Sequence, residues 1–216
     1  MDNICDKLVT LSIGKNKGTG AGGANTTKTG MKFEHITDNE EFLLNKNFKK
    51  IMITKTHYYL INNGVKSHCS INPLDLLNKK HNVNILWFKQ NSFVKYIKSK
   101  YNIDVYRKPD EAFIIEDSTK DKVIIKIIEK KNQNVEGSVE TKLYASPSLK
   151  REYQLMFKDT KYIIEYILCV NTFLFDKINS NHPKYINLNI ILSENDIPIF
   201  NGNDDNYFVK INSINE

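Results

Sequence analysis

The chain has 216 residues and a mass of 25.1 kDa, with 40% hydrophobic and 26% charged residues, 9 Gly and 5 Pro. That balance excludes collagen-like, mucin-like and largely disordered chains, and a chain of this length buries about 70% of its unfolded surface without a disulfide or metal staple. The net charge is +6, yet residues 193–216 carry five acids (Glu194, Asp196, Asp204, Asp205, Glu216) against Lys210, which leaves +10 on residues 1–192. A basic body of this kind fits a polyanionic partner, although the joint abundance of Lys, Asn and Ile also fits a coding bias. The most apolar stretch, residues 162–175, is broken by Glu165, Asn171 and Thr172. It falls short of the roughly 18–20 apolar residues of a spanning helix. Asp2 and Asp6, with no basic-then-apolar lead, predict no signal peptide. Cys5, Cys69 and Cys169 are odd in number and far apart, and His35, His57, His68, His81 and His182 lack zinc spacing. Free thiols in a reducing cytoplasm are the expectation.

Residues 1–13 alternate loosely, as a short strand or helix. Residues 14–30 are rich in Gly, Thr and Lys and read as a loop that cannot pack a core. Met31, Phe33 and Ile36, then residues 40–44, follow helical spacing. Residues 50–61 read as one or two strands, 62–64 as a turn, and 65–71 as a segment that pairs back. A new element starts at Asn72-Pro73 and continues through Leu74, Leu76 and Leu77 to residues 85–88. Phe93, Val94, Ile97 and Tyr101 make 91–101 an amphipathic helix, and 103–106 is a strand fragment. Two β-rich runs, 111–116 and 123–131, flank a polar turn at 117–122. Residues 139–157 read as helix, with Pro147 kinking it or opening a second one. Residues 162–170 suit a buried strand, 172–179 a short helix and 185–192 another strand. The acidic end reads as loop. Alternating strands and helices predict one α/β domain over 1–216 with a central mixed sheet flanked by helices.

The glycine-rich segment imitates two nucleotide motifs. Gly18-Thr-Gly20-Ala-Gly22-Gly23 matches GxGxxG, but a dinucleotide fingerprint follows a buried strand and opens a helix. Gly14-Lys-Asn-Lys intervenes before it, and Asn25-Thr-Thr-Lys-Thr-Gly30 is a poor helix opening. A phosphate loop needs Gly before its Lys, and position 27 is Thr. A loop touching DNA phosphates through Asn25, Thr26, Thr27 and Lys28 is the preferred reading over a plain linker.

A second constellation carries more chemistry. If residues 111–116 and 123–131 form a hairpin, Asp110 faces Glu129 across the strands with side chains on one face. Lys131 lies two residues beyond Glu129, on the same face, and Gln133 continues the row. Two opposed carboxylates repel unless a cation lies between them, and Mg²⁺ is commonly held by one or two carboxylates plus phosphate and water. Lys131 would then stand beside a reacting phosphate. Lys130 and Glu111 point to the other face, and replacing Lys130 is expected to disturb the chemistry far less. Glu116, Asp117 and Asp121 lie too far off, at the turn. The plain alternative is a charged, solvated strand face.

The residues Pro109-Asp110-Glu111-Ala112-Phe113-Ile114-Ile115, Ile127-Ile128-Glu129-Lys130-Lys131-Asn132-Gln133 and Glu136-Gly137-Ser138-Val139-Glu140-Thr141-Lys142-Leu143 resemble the PD-(D/E)xK nuclease superfamily, in particular type II restriction endonucleases. Residues 23–34, ending in Met31-Lys32-Phe33-Glu34, are similar to the loop and N-terminal helix of such enzymes, and the likeness spans residues 18–170. The resemblance implies a restriction-endonuclease-like core, with residues 18–34 as glycine-rich loop and N-terminal helix, 103–192 as catalytic core and 193–216 as an acidic end. It implies Asp110 and Glu129 as metal ligands, Lys131 as the catalytic lysine, Glu34 as a further metal or water ligand, and Gln133 as a supporting polar residue. His35 is read as structural or phosphate-contacting.

The implied activity is Mg²⁺-dependent hydrolysis of double-stranded DNA at a short specific site, leaving 5′-phosphate and 3′-hydroxyl ends. Cutting both strands of a palindrome implies a homodimer, and a companion DNA methyltransferase and a bacterial or viral origin go with it. Base reading is expected from residues 55–70, the surroundings of Asn91 and residues 179–184, with Lys55, His57, Lys66 and Ser138 among the DNA contacts. The alternatives are a structure-specific repair or mobile-element nuclease with the same chemistry, a catalytically silent DNA-binding domain, and a nucleotide-binding protein.

Overall fold

The structure is a computed structural model, and it describes residues 24–65, 83–117, 122–134 and 139–212, with the backbone course alone at 24–29, 63–65, 122 and 212. Seven strands form one sheet whose spatial order is their chain order: β1 (Lys49–Met52), β2 (Tyr58–Val65), β3 (Val83–Lys89), β4 (Glu111–Asp117), β5 (Lys122–Lys131), β6 (Tyr162–Val170) and β7 (Ile199–Asn201). β1 to β5 run antiparallel, and β5–β6 and β6–β7 are parallel. A parallel neighbour needs a crossover connection. Here the crossover holds α4 (Val139–Tyr144) and α5 (Ser146–Met156).

Helices cover both faces. On one face, α3 (Gln90–Tyr101), α4, α5, α6 (Thr172–Ile178) and α7 (Pro183–Glu194) pack Phe93, Ile97, Leu143, Tyr153, Leu174 and Leu188 onto Leu86, Ala112, Ile114, Ile125, Ile127 and Tyr166. On the other, α1 (Ala24–Ile36), α2 (Asn39–Asn45) and α8 (Tyr207–Asn212) bring Phe33, Leu43 and Tyr207 onto Trp87, Phe113, Ile124, Ile128 and Cys169. β4 and β5 are thus buried on both faces, which is why both read as continuous apolar runs rather than alternating ones.

Several expectations need correction. Residues 24–30 are helical, not loop. The helix is anchored downstream by buried Phe33 and Thr37, and these contacts override the weak propensity of its start. Residues 62–64 lie inside β2, whose pairing with β3 shifts register between Asn62 and Val65; the turn composition marks that irregularity. Residues 103–106 form no strand, and only Val105 among them is buried. Residues 185–192 belong to α7, not a strand. Pro183 sits in its first turn, His182 caps it by accepting the Lys184 N–H at 3.2 Å, and Tyr185, Leu188 and Leu192 are buried at helical spacing while Ile186 and Ile190 are exposed. The acidic end contains β7 and α8 rather than loop alone. Pro147 opens a second helix. Residues 1–23, 66–82, 118–121, 135–138 and 213–216, and with them the readings of 1–13, 65–71 beyond Val65 and 72–77, lie outside the described residues.

Gly202 closes the molecule behind β7. A Cβ there would stand 2.6 Å from Thr37 Cγ2 and 2.8 Å from Cys169 Sγ, so only glycine lets α1 and β6 approach this closely. Among the described residues no helix is long and apolar enough to cross a membrane. Cys169 is a buried free thiol whose pKa burial pushes up to about 12, an inert environment.

Candidate active site at the end of the central strand pair

β4 and β5 pair as Glu111↔Ile128, Ala112↔Ile127 and onward to Asp117↔Lys122. Extended by one residue, that register sets Asp110 opposite Glu129, the alignment expected from the sequence. Asp110 lies just before β4, and its Oδ2 accepts the backbone N–H of Lys130 at 2.7 Å. The carboxylate is therefore held by the strand that carries Glu129. Lys131 shares Glu129's face, and its ammonium donates to Glu129 Oε1 at 2.5 Å and to the Lys130 carbonyl at 3.1 Å. Both side chains of that pair keep about a fifth of their surface, at 18% and 20% exposure.

Glu129 ionises reluctantly. Burial raises its pKa and the charge of Asp110 raises it further, while Lys131 and Arg107 pull it down. Part of the desolvating wall is aromatic: Tyr153 and Tyr166 are fully buried, and Glu129 is the first charge that pushes each phenol's pKa up beyond the effect of burial. Arg107 is held from both ends. Its Nε donates to Glu152 Oε2 at 2.5 Å, and its carbonyl accepts the Tyr153 hydroxyl at 3.2 Å. Neither Arg107 nor the two tyrosines stood out in the sequence. The tyrosines lie in runs that read simply as core, and Arg107 lies in an irregular loop.

Glu34 comes from the opposite side, on α1. It lines a cavity of about 450 Å³ with Asp110, Glu111, Lys130, Asp38, Lys89 and the first residue of α3, Gln90. Burial raises the Glu34 pKa, and Asp110 adds to the rise against Lys130 and Lys131. Glu34 and Asp110 thus feel one another's charge across this space. His35 also lines the cavity. Gln90 has φ 27°, a left-handed backbone beside the carboxylates.

The other face of the strand ends is closed. Lys130 Nζ donates to Glu111 Oε1 at 2.6 Å, to the Thr37 carbonyl at 2.9 Å and to the Glu34 carbonyl at 3.4 Å. Glu111 also accepts from Asn39 Nδ2 at 2.6 Å, the Asn39 N–H at 3.2 Å and Trp87 Nε1 at 3.1 Å. Sequence reasoning placed Lys130 and Glu111 on this face but missed their partners, which lie 19 to 96 positions away from them in the chain.

Gln133 is buried just past β5. Asn171 clamps its backbone, accepting its N–H at 3.2 Å and donating to its carbonyl at 3.0 Å. Lys55 and His57 lie in the β1–β2 connection, where the His57 ring Nδ1 is within hydrogen-bond reach of Thr54 and Thr56 at 3.0 and 2.9 Å. Asn25, Thr26, Thr27 and Lys28 lie on the first turns of α1, not in a loop. Lys66 and Ser138 are outside the described residues.

The donor set suits a hard cation. The charge of Asp110 makes ionisation of both Glu129 and Glu34 more costly, and a divalent ion among these carboxylate oxygens relieves that repulsion. Among the described residues no three such groups are already gathered in one metal-holding cluster, and Mg²⁺ commonly keeps several waters and takes only one or two carboxylates. Compared with known proteins, the chain matches no family model, no curated sequence and no solved structure.

Proposed function

We propose that the chain is a Mg²⁺-dependent endonuclease of double-stranded DNA, with a restriction-endonuclease-like core and the site specificity of a type II restriction enzyme. One observation carries the reading: Asp110, Glu129 and Lys131 share one face at one end of the two central strands, in the register where opposed acids need a cation. The resemblance to PD-(D/E)xK nucleases and the +10 charge on residues 1–192 support it.

In this reading Asp110 and Glu129, with Glu34, hold Mg²⁺, which when bound polarises the phosphate and acidifies a water. Lys131 keeps a positive charge beside the reacting phosphate and donates to its oxygens as negative charge builds in the transition state. The Lys130 amide fixes the Asp110 carboxylate, and Tyr153 and Tyr166 keep solvent from the back of Glu129. Two copies related by a two-fold axis cut the two strands of a symmetric site.

The test is incubation of unmethylated plasmid with the full chain, with Mg²⁺ or with EDTA, followed by sequencing of the ends. Discrete Mg²⁺-dependent fragments with 5′-phosphates support the proposal. Cleavage confined to branched or nicked DNA replaces it with a structure-specific nuclease, and DNA binding without cleavage removes the enzyme altogether.

A further inference from the structure

We infer that Glu111 and Lys130 are a positioning pair: Lys130 ties the end of helix α1 to the strand that anchors Asp110, and thereby sets Glu34 against Asp110. The inference rests on the proposed metal site and names a control on its geometry that neither the sequence motif nor the resemblance supplies.

Lys130 serves both acids with different atoms. Its backbone N–H holds Asp110 Oδ2 at 2.7 Å, and its ammonium reaches the carbonyls of Thr37 and Glu34 at the end of α1. Terminal helix carbonyls lack partners within the helix and carry the negative end of its dipole, so an ammonium is a fitting cap. α1 needs such a clamp. Of its residues from Met31 onward only Phe33 is buried, while Met31 and Ile36 are 66% and 47% exposed. A helix gripped by so little apolar surface swings unless something else holds it.

Glu111 holds the ammonium in place, at 2.6 Å. The two side chains are 2% and 3% exposed, and Glu111 is fixed in turn by Asn39 at the start of α2 and by Trp87 on β3. Burying two charges is costly, and apolar residues of like volume generally serve stability as well or better. A sealed ion pair whose hydrogen bonds end on the helix and strand that carry two site acids is accounted for by where it puts them.

The test uses the full chain without DNA. E111Q/K130M removes both charges, keeps side-chain volume, and leaves Gln to accept from Asn39 and Trp87. Amide exchange at residues 33–38 and Mn²⁺ affinity by electron paramagnetic resonance are measured on wild type, E34Q, E111Q/K130M and the triple variant. The expected result is faster exchange in α1 and a loss of Mn²⁺ affinity of about tenfold in E111Q/K130M. The triple variant should lose no more than E34Q alone, because the pair acts through Glu34. Losses that add in the triple variant, or unchanged Mn²⁺ affinity in a folded E111Q/K130M, overturn the inference. If that variant does not fold, K130R keeps the charge pair and changes the reach to α1; loosened α1 exchange with undiminished Mn²⁺ affinity then overturns it. Wild type that binds Mn²⁺ yet never cuts DNA overturns the nuclease reading alone, and wild type that binds no Mn²⁺ overturns both.

Discussion

Lys130 and Lys131 are neighbours in the chain, and each ammonium meets a carboxylate, at 2.6 Å and 2.5 Å. Strand geometry sends them to opposite faces, and there the likeness ends. The Lys130–Glu111 pair is sealed under α1 and α2, with contacts ending on α1, the turn after it, α2 and β3. The Lys131–Glu129 pair keeps a path to solvent, beside an acid it does not neutralise. The same two residue types therefore do structural work where water is excluded and offer exchangeable partners where it is not.

The largest effect separates the two faces by activity. Asp110→Ala and Lys131→Ala should each lower plasmid cleavage by about 10²–10³-fold, the scale of losing one preorganised transition-state contact, with circular dichroism and melting temperature close to wild type. A folded Lys131→Ala protein with wild-type turnover would remove the lysine from the mechanism.

The reverse holds for the sealed face. Lys130→Ala leaves Glu111 buried without its counter-charge and should cost about 3–5 kcal/mol in urea unfolding. From sequence alone its replacement was expected to disturb the chemistry far less than that of Lys131; the structure gives it a buried charge partner and contacts to the end of α1. A loss below about 1 kcal/mol would show that water enters the pocket and that the two faces are not so different.

A third lysine sharpens the comparison. Lys126, on the sealed face in the middle of β5, is 1% exposed, lies 3.7 Å from Glu165 Oε2, and has no hydrogen-bond partner at Nζ among the described residues. Burial lowers its pKa. An amine whose folded pKa lies below its unfolded value costs stability at neutral pH, and the cost fades as pH rises through the folded pKa to the ordinary lysine range. Replacing both partners, Lys126→Met with Glu165→Met, should therefore stabilise the protein by about 1–4 kcal/mol at pH 7, less at pH 10, as read by paired denaturation curves.

The smallest effect concerns Glu129 in metal-free protein. Its folded pKa is raised, so its ionisation costs nothing below the ordinary Glu range and costs fully above the raised value. Glu129→Gln should melt slightly higher than wild type at pH 8, and the difference should close as the pH drops to 4. An opposite slope would mean that the Lys131 pair outweighs burial and Asp110 together.

Much of the central sheet was legible because its signals are local. The runs 111–116, 123–131 and 162–170 are apolar, end at polar turns and became β4, β5 and β6 with ends shifted by at most a residue or so. The symmetry of a hairpin about its turn was enough to set Asp110 against Glu129. Residues 185–192 misled because they are nearly all apolar, and a short apolar run suits a buried strand as well as a helix; Pro183 and the spacing of Tyr185, Leu188 and Leu192 were the signals to weigh. The helical start of α1 was hidden by glycine and threonine, whose weak propensity is overruled downstream by Phe33 and Thr37.

By itself, then, the amino-acid order determined the alternation of elements, the strand pair and which side chains of β4 and β5 share a face, since these follow from period two and from turn position. Only the tertiary structure decided that Glu34 meets Asp110 across a cavity, that Arg107, Tyr153 and Tyr166 come within electrostatic reach of Glu129, and that Lys130 is sealed while Lys131 is open. Those outcomes depend on contacts between segments tens of residues apart. Exposure, and with it the cost of a charge, belongs to the packed layers and not to any one strand.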